Sequence, residues 1–170
     1  MMLFLQYRQW AAWTLVPVAG LALMAASANR APDLALVNES PSLPEGLYVR
    51  QTGASIASGS VVAIGQPPSI RPYLASLGMP AEVKLIKRVA AVGGDRVCAE
   101  DGAVQTPLRV SPVLEHDRRG VALPVWRGCR TLSPDELFLL GDTPGSFDSR
   151  YFGPVRRAEV DGVYKETLTW

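Results

Sequence analysis

Histidine is almost missing from this 170-residue sequence, cysteine is scarce, and net charge of either sign is close to absent. The one histidine, His116, lies in Leu114-Glu115-His116-Asp117-Arg118-Arg119-Gly120, a charged stretch that reads as a solvent-exposed loop rather than a seat for a catalytic base. Cys98 and Cys129 stand 31 positions apart and neither belongs to a Cys-x-x-Cys pair, so tetrahedral zinc ligation has no support and no metal or cofactor is expected. The two thiols can pair in an oxidising compartment or stay reduced in the cytosol, and sequence alone leaves both open. Seventeen basic residues against sixteen acidic ones give a formal net charge of +1. That leaves no broad basic field to capture phosphates, which argues against a nucleic-acid partner. Internal repeats and low-complexity tracts are absent too, and the 14 prolines and 15 glycines are scattered as in a loop-rich β domain.

One long apolar run stands out. Trp10 to Ala28 is 19 residues without a charge, enough as a helix to cross the ~30 Å hydrocarbon core of a membrane. Trp10 and Trp13 mark one end, where indole rings favour the interface, and Arg8, Arg30 and Asp33 flank the run. A retained anchor over residues 1–30 and a cleaved signal peptide ending near Ala26-Ser27-Ala28 are the two readings, and both export the chain from Asn29 onward. Membrane lipid is then a partner, and residues 31–170 form one folded domain on the extracytoplasmic side.

Beyond Asp33 the pattern turns to short apolar or alternating runs broken by Gly, Pro, Asn and Asp, which predicts a mainly β, antiparallel domain. Expected strands are Leu34–Val37, Gly46–Gln51, Ser60–Ile64, Val83–Val92, Arg96–Ala99, Val121–Val125, Glu136–Leu140 and Val160–Thr167. Leu74–Leu77 reads as a helical turn within a proline-marked excursion, 65–81, outside the core. Because strand side chains alternate, Val83, Leu85, Lys87 and Val89 share one side, whereas Lys84, Ile86 and Arg88 share the other. Lys87 is thus the lysine set among aliphatic neighbours. Poor solvation lowers an ammonium pKa and leaves neutral amine able to accept a proton; the bland alternative is a stem lying on apolar surface with its head in water. With no suitable histidine, a serine nucleophile here needs a lysine base.

Three segments then resemble one known family. Asn38-Glu39-Ser40-Pro41-Ser42-Leu43-Pro44-Glu45-Gly46-Leu47-Tyr48 is similar to the nucleophile box of signal peptidases. Leu85-Ile86-Lys87-Arg88-Val89-Ala90-Ala91-Val92-Gly93-Gly94-Asp95 is similar to their lysine box, and Leu140-Gly141-Asp142 with Ser146-Phe147-Asp148-Ser149-Arg150 to their Gly-Asp and Ser-x-Asp-Ser-Arg box. Order, spacing and position after an apolar segment make the set specific, although 96–133 carries no recognised motif. The resemblance implies a signal-peptidase/LexA-like antiparallel β fold and a serine endopeptidase with a Ser-Lys dyad. In it Ser42 is the nucleophile and Lys87 the general base; Ser40 assists the oxyanion, Ser146 and Asp148 support the lysine, and Arg150 pairs with Asp148.

Within the family, the Asn-x-x-x-Ser-x-Pro-x-Gly-x-Tyr box looks most like TraF-type conjugative-transfer peptidases, which implies a protein precursor, a pilin, as substrate and maturation that can include cyclisation. Two departures from general type I signal peptidases matter: Ser42-Leu43-Pro44 has one residue between serine and proline, and Thr143-Pro144 follows Gly-Asp. A general enzyme removing signal peptides from many secreted proteins remains the alternative. A tethered scaffold that binds without cutting, and a self-cleaving LexA-type repressor, are weaker rivals. The latter is opposed by an apolar segment standing where a DNA-binding domain would be.

Overall fold

In the computed structural model, which describes residues 32–170, the chain from Leu34 to Trp170 folds as one compact unit. The run 10–28 lies outside the described residues. Among the described residues no helix is long and apolar enough to cross a membrane.

β-branched and aliphatic runs become strands wherever expected along the main sheet, and every pairing is antiparallel. In chain order these are β1 (Ala35–Asn38), β2 (Gly46–Arg50), β3 (Val61–Ile64), β4 (Leu85–Val92), β5 (Arg96–Glu100), β6 (Ala103–Gln105), β7 (Val110–Pro112), β8 (Gly128–Thr131), β9 (Glu136–Leu140), β10 (Val155–Arg156) and β11 (Val160–Thr169). Among the described residues there are also two short α-helices, α1 (Arg71–Ser76) and α2 (Ser149–Phe152), and single 3-10 turns at Pro68–Ile70 and Arg157–Glu159. Seven strands form a sheet in the order β1-β2-β11-β3-β4-β9-β10, and four form a smaller one, β7-β6-β5-β8. Since β4 and β9 are hydrogen-bonded neighbours, the whole smaller sheet is an excursion between them.

Strand alternation sorts the core. Val62, Ile64, Leu85, Val89, Leu137 and Leu139 face one side of the main sheet. Leu43, Tyr48, Val61, Ala63, Ile86 and Tyr164 cluster apart from these, and Phe138 and Leu140 join Val97, Ala99 and Val104 of the smaller sheet.

Three expectations need correction. Val121–Val125 forms no strand; a single bridge between His116 and Ala122 is its only ladder contact, because Pro124 removes a donor where pairing would continue. Strands β6, β7, β8 and β10 were not foreseen, being two to four residues long and carrying too few apolar side chains to show a period. The excursion 65–81 does enter the core: Ile70 and Leu74, one turn apart around the start of α1, are buried against Leu85, Val89 and Leu137. Buried Gln66 closes this excursion by donating to Pro80 O at 2.7 Å and Val83 O at 3.1 Å. It therefore delivers the chain directly into β4.

Cys98 and Cys129 are paired as a disulfide across directly opposed positions of β5 and β8. Closing a loop of this length removes on the order of 3–4 kcal/mol of unfolded-state entropy in the chain-entropy account.

Candidate active site

Residues 39–45, between β1 and β2, form a loop held by one buried amide. Asn38 Nδ2 donates to the carbonyls of Ser40 at 2.9 Å, Leu43 at 3.0 Å and Pro44 at 3.0 Å, while its Oδ1 accepts from Ser40 N at 3.2 Å. Tyr48 Oη donates to Pro44 O at 2.7 Å from the following strand. An Asx-type side chain gripping its own backbone explains how a loop with two prolines takes one conformation. Ser42 sits at its centre, 5 % exposed.

Lys87, 4 % exposed, lies in β4 opposite Val62 and on the side of Leu85 and Val89. Its Nζ is 2.9 Å from Ser42 Oγ. Burial is the main cause that lowers its pKa, from 10.5 to about 8, against the opposing pull of the Asp148 carboxylate. The other two basic residues near it in sequence have partners at the surface: Lys84 Nζ lies 2.9 Å from Asp161 and Arg88 Nη2 lies 2.8 Å from Asp142. Ser40 Oγ donates to Ser42 Oγ at 3.1 Å and accepts from Ser42 N at 3.3 Å. The hydroxyl of Ser40 and the N–H of Ser42 are thus close together, both beside Ser42 Oγ.

Behind this pair, Asp148 and Arg150 form a fully buried ion pair, 0 % and 1 % exposed. Asp148 Oδ1 accepts from Arg150 Nε and Oδ2 from Arg150 Nη2, each at 2.8 Å. The guanidinium spends its remaining donors on the carbonyls of Pro112, Thr143, Pro144 and Ser146. Asp148 Oδ2 also accepts from Gly141 N at 2.8 Å, and Ser149 Oγ accepts from Leu139 N at 2.9 Å, which ties α2 to the end of β9. Ser146 Oγ is buried and has no hydrogen-bond partner among the described residues; it lies against Gly141 rather than bonded to Lys87.

Gly141 has no room for a side chain. A Cβ there would stand 2.5 Å from Ser146 Cβ and 2.8 Å from the carbonyl oxygen of Ser42, and the latter is backbone that cannot swing away. Gly141→Ala is expected to displace Ser42 and lower kcat/KM by roughly 100-fold, the scale of a ~1 Å misplacement of a reacting group. Kinetics on a short peptide substrate measure this, and a rate within threefold of the parent would contradict it.

His116 is exposed and joins none of these groups. The serine, the lysine and the supporting Ser-x-Asp-Ser-Arg turn come together from sites up to 108 positions apart, Ser42 to Arg150. Sequence reasoning did not assign roles to Asn38, Tyr48, Gly141 or Asp142. The Asn before a Ser-Pro-Ser run was a usable signal for the first; a glycine abutting the Ser42 carbonyl has none.

The signal peptidase family, peptidase S26, matches residues 7–170. The chain belongs to that family. Among curated relatives of this S26 peptidase, a plasmid transfer protein TraF of Escherichia coli is 34% identical over 150 residues, covering 80% of this chain and 84% of the relative. A conjugal transfer protein TraF of Agrobacterium fabrum is 33% identical over 164 residues, covering 90% and 93%. A crystal structure of a signal peptidase I from Enterococcus faecalis is 24% identical and superposes with a TM-score of 0.39, over 65% of this chain and 97% of that one. Family membership implies a serine peptidase with a protein substrate. Together with the disulfide, it suggests that the domain lies outside the cytoplasm.

Proposed function

We propose that this S26 peptidase is a Ser-Lys endopeptidase that matures an exported precursor, a conjugative pilin, at the outer face of the cytoplasmic membrane, where residues 10–28 anchor it. The observation that carries the reading is the 2.9 Å approach of Lys87 Nζ to Ser42 Oγ with both groups withdrawn from water. Neutral Lys87 accepts the Ser42 proton as Ser42 Oγ attacks the scissile carbonyl. The resulting oxyanion takes up the N–H of Ser42, which donates to Ser40 Oγ in the free site, and the hydroxyl of Ser40, which donates there to Ser42 Oγ. Collapse of the tetrahedral adduct expels the leaving amine, which takes the proton from Lys87 and leaves an acyl-enzyme on Ser42. Water resolves the acyl-enzyme to a linear product; the substrate's own amino terminus resolves it to a ring.

The pilin substrate is favoured by the curated relatives, which are named as transfer proteins, and by the single residue between Ser42 and Pro44. Mass spectrometry of the pilin precursor in cells carrying the parent protein or Ser42→Ala tests it. The expected result is a shortened product, linear or lighter by one water, only with the parent. An unprocessed pilin in both strains, with loss of many other mature exported proteins in the variant, would replace this substrate with the general one.

A further inference from the structure

We propose that Arg109, carried by the turn between β6 and β7, is a positioning residue that fixes the peptide unit on which the nucleophile's backbone rests. The inference builds on the Ser42-Lys87 reading. The Gly141–Asp142 peptide is gripped at both ends. Its N–H, on Asp142, donates to the carbonyl of Ser42 at 2.6 Å. Its carbonyl, on Gly141, accepts a hydrogen bond from Arg109 Nη2. A cation on the carbonyl polarises the amide and strengthens the N–H as a donor, so the two bonds reinforce one another. They also fix the rotation of the peptide plane, and with it the Ser42 carbonyl and the Cα that bears Oγ.

The arm that does this is built for reach. Thr106 closes the turn by donating its N–H to Arg109 O at 2.9 Å and its hydroxyl to the same oxygen at 3.0 Å, while its Oγ1 accepts from Arg109 N at 3.3 Å. The smaller sheet is otherwise remote from the nucleophile box in sequence, and this contact couples the two. The Asp142 carboxylate is forked by Arg88 Nε at 3.0 Å and Nη2 at 2.8 Å, and Arg109 Nη1 adds a longer ion pair at 3.6 Å. Hydrogen bonding from Arg88 holds the Asp142 carboxyl below the usual carboxylate range, so the negative charge persists near Lys87.

The charged groups acting on Lys87 are Asp148 and Asp142, which favour its protonated form, and Arg150, which opposes it. Removing Arg109 leaves Asp142 less compensated. The protonated amine is then favoured and the acid limb of the pH profile moves to higher pH.

The test uses the full chain in detergent with a fluorogenic peptide bearing alanine one and three residues before the scissile bond. Arg109→Ala is expected to lower kcat about 10- to 100-fold, the range for a displaced but intact site, with KM changed less than about twofold. Its acid limb shifts upward, and Arg109→Lys, which keeps the charge and one donor, restores the limb and part of kcat. Parent-like kcat and pH profile for Arg109→Ala overturn the inference. So does an equal loss for both variants that tracks a lowered unfolding midpoint, which marks a role in stability only. Ser42→Ala run alongside separates the two claims: normal cleavage by it removes the Ser-Lys reading itself, whereas an inactive Ser42→Ala beside a fully active Arg109→Ala removes only the role of Arg109.

Discussion

Lys87→Met and Ser42→Ala are each expected to reduce cleavage of the precursor peptide by about 10⁴- to 10⁶-fold, the scale seen when one member of a catalytic unit is removed. The two losses should not add in the double variant, since either change alone disables the proton transfer. Lys84→Ala, with its ammonium on Asp161, and His116→Ala, in an exposed loop, serve as controls that keep near-parent rates. The same lysine makes a second, opposite signature. Its folded pKa, about 8, lies below the unfolded value of 10.5, so the native state binds fewer protons between those limits and stability rises with pH across that window. Below pH 8 the cost of burying the ammonium is fully present, on the order of 3 kcal/mol for such a displacement. Lys87→Met is therefore expected to raise the unfolding midpoint at pH 6 to 7 while abolishing activity, and the gain should vanish above pH 10.5. Denaturant melts at three pH values measure it. In the active parent, kcat should climb as pH rises through about 8. A flat profile from pH 6 to 9 would rule out Lys87 as the base.

Arg150→Met carries the largest expected loss of stability. Asp148 is wholly buried, and the substitution leaves its carboxylate without the cation that occupies both oxygens, a situation that costs about 3–5 kcal/mol. The four carbonyls that share the guanidinium, those of Pro112, Thr143, Pro144 and Ser146, lose donors at the same time. Arg150→Lys should recover little, because a point ammonium cannot fork across both oxygens and reach those carbonyls as well. Chemical denaturation reads the shift directly. A midpoint for Arg150→Met within the equivalent of 1 kcal/mol of the parent would mean that the pair is not holding the turn together.

The legible strands were those with dense apolar runs, β3, β4 and β9, which are buried on both faces. Their bounds, and those of the more exposed β11, fall within two residues of those expected. In the smaller sheet β5 was legible, whereas β6, β7 and β8 were not, because these three- and four-residue strands hold register through backbone bonds and the Cys98–Cys129 link rather than through an apolar stripe. At the site, parity along β4 separated Lys87 from Lys84 and Arg88. It could not say what Lys87 would meet; Ser42, 45 positions earlier, was named through resemblance. The grip on the Gly141–Asp142 peptide had no letter to announce it, since its hydrogen-bonding atoms, other than those of Arg109, are backbone.

The excursion between β4 and β9 changes how this chain tolerates change in length. Both ends of the excursion are clamped by strands that pair with each other, so added residues enlarge a loop that is already closed, at about 0.6 kcal/mol for each doubling. The pairing of β4 with β9 is therefore little affected by the length of what hangs from it there. The contacts that do bind the excursion to the rest set the limits: with Phe138 and Leu140 packed on Val97, Ala99 and Val104, Arg150 on Pro112 O and Arg109 on Gly141 O, the appended piece can grow or be redecorated only away from these points, the Thr106–Arg109 turn among them.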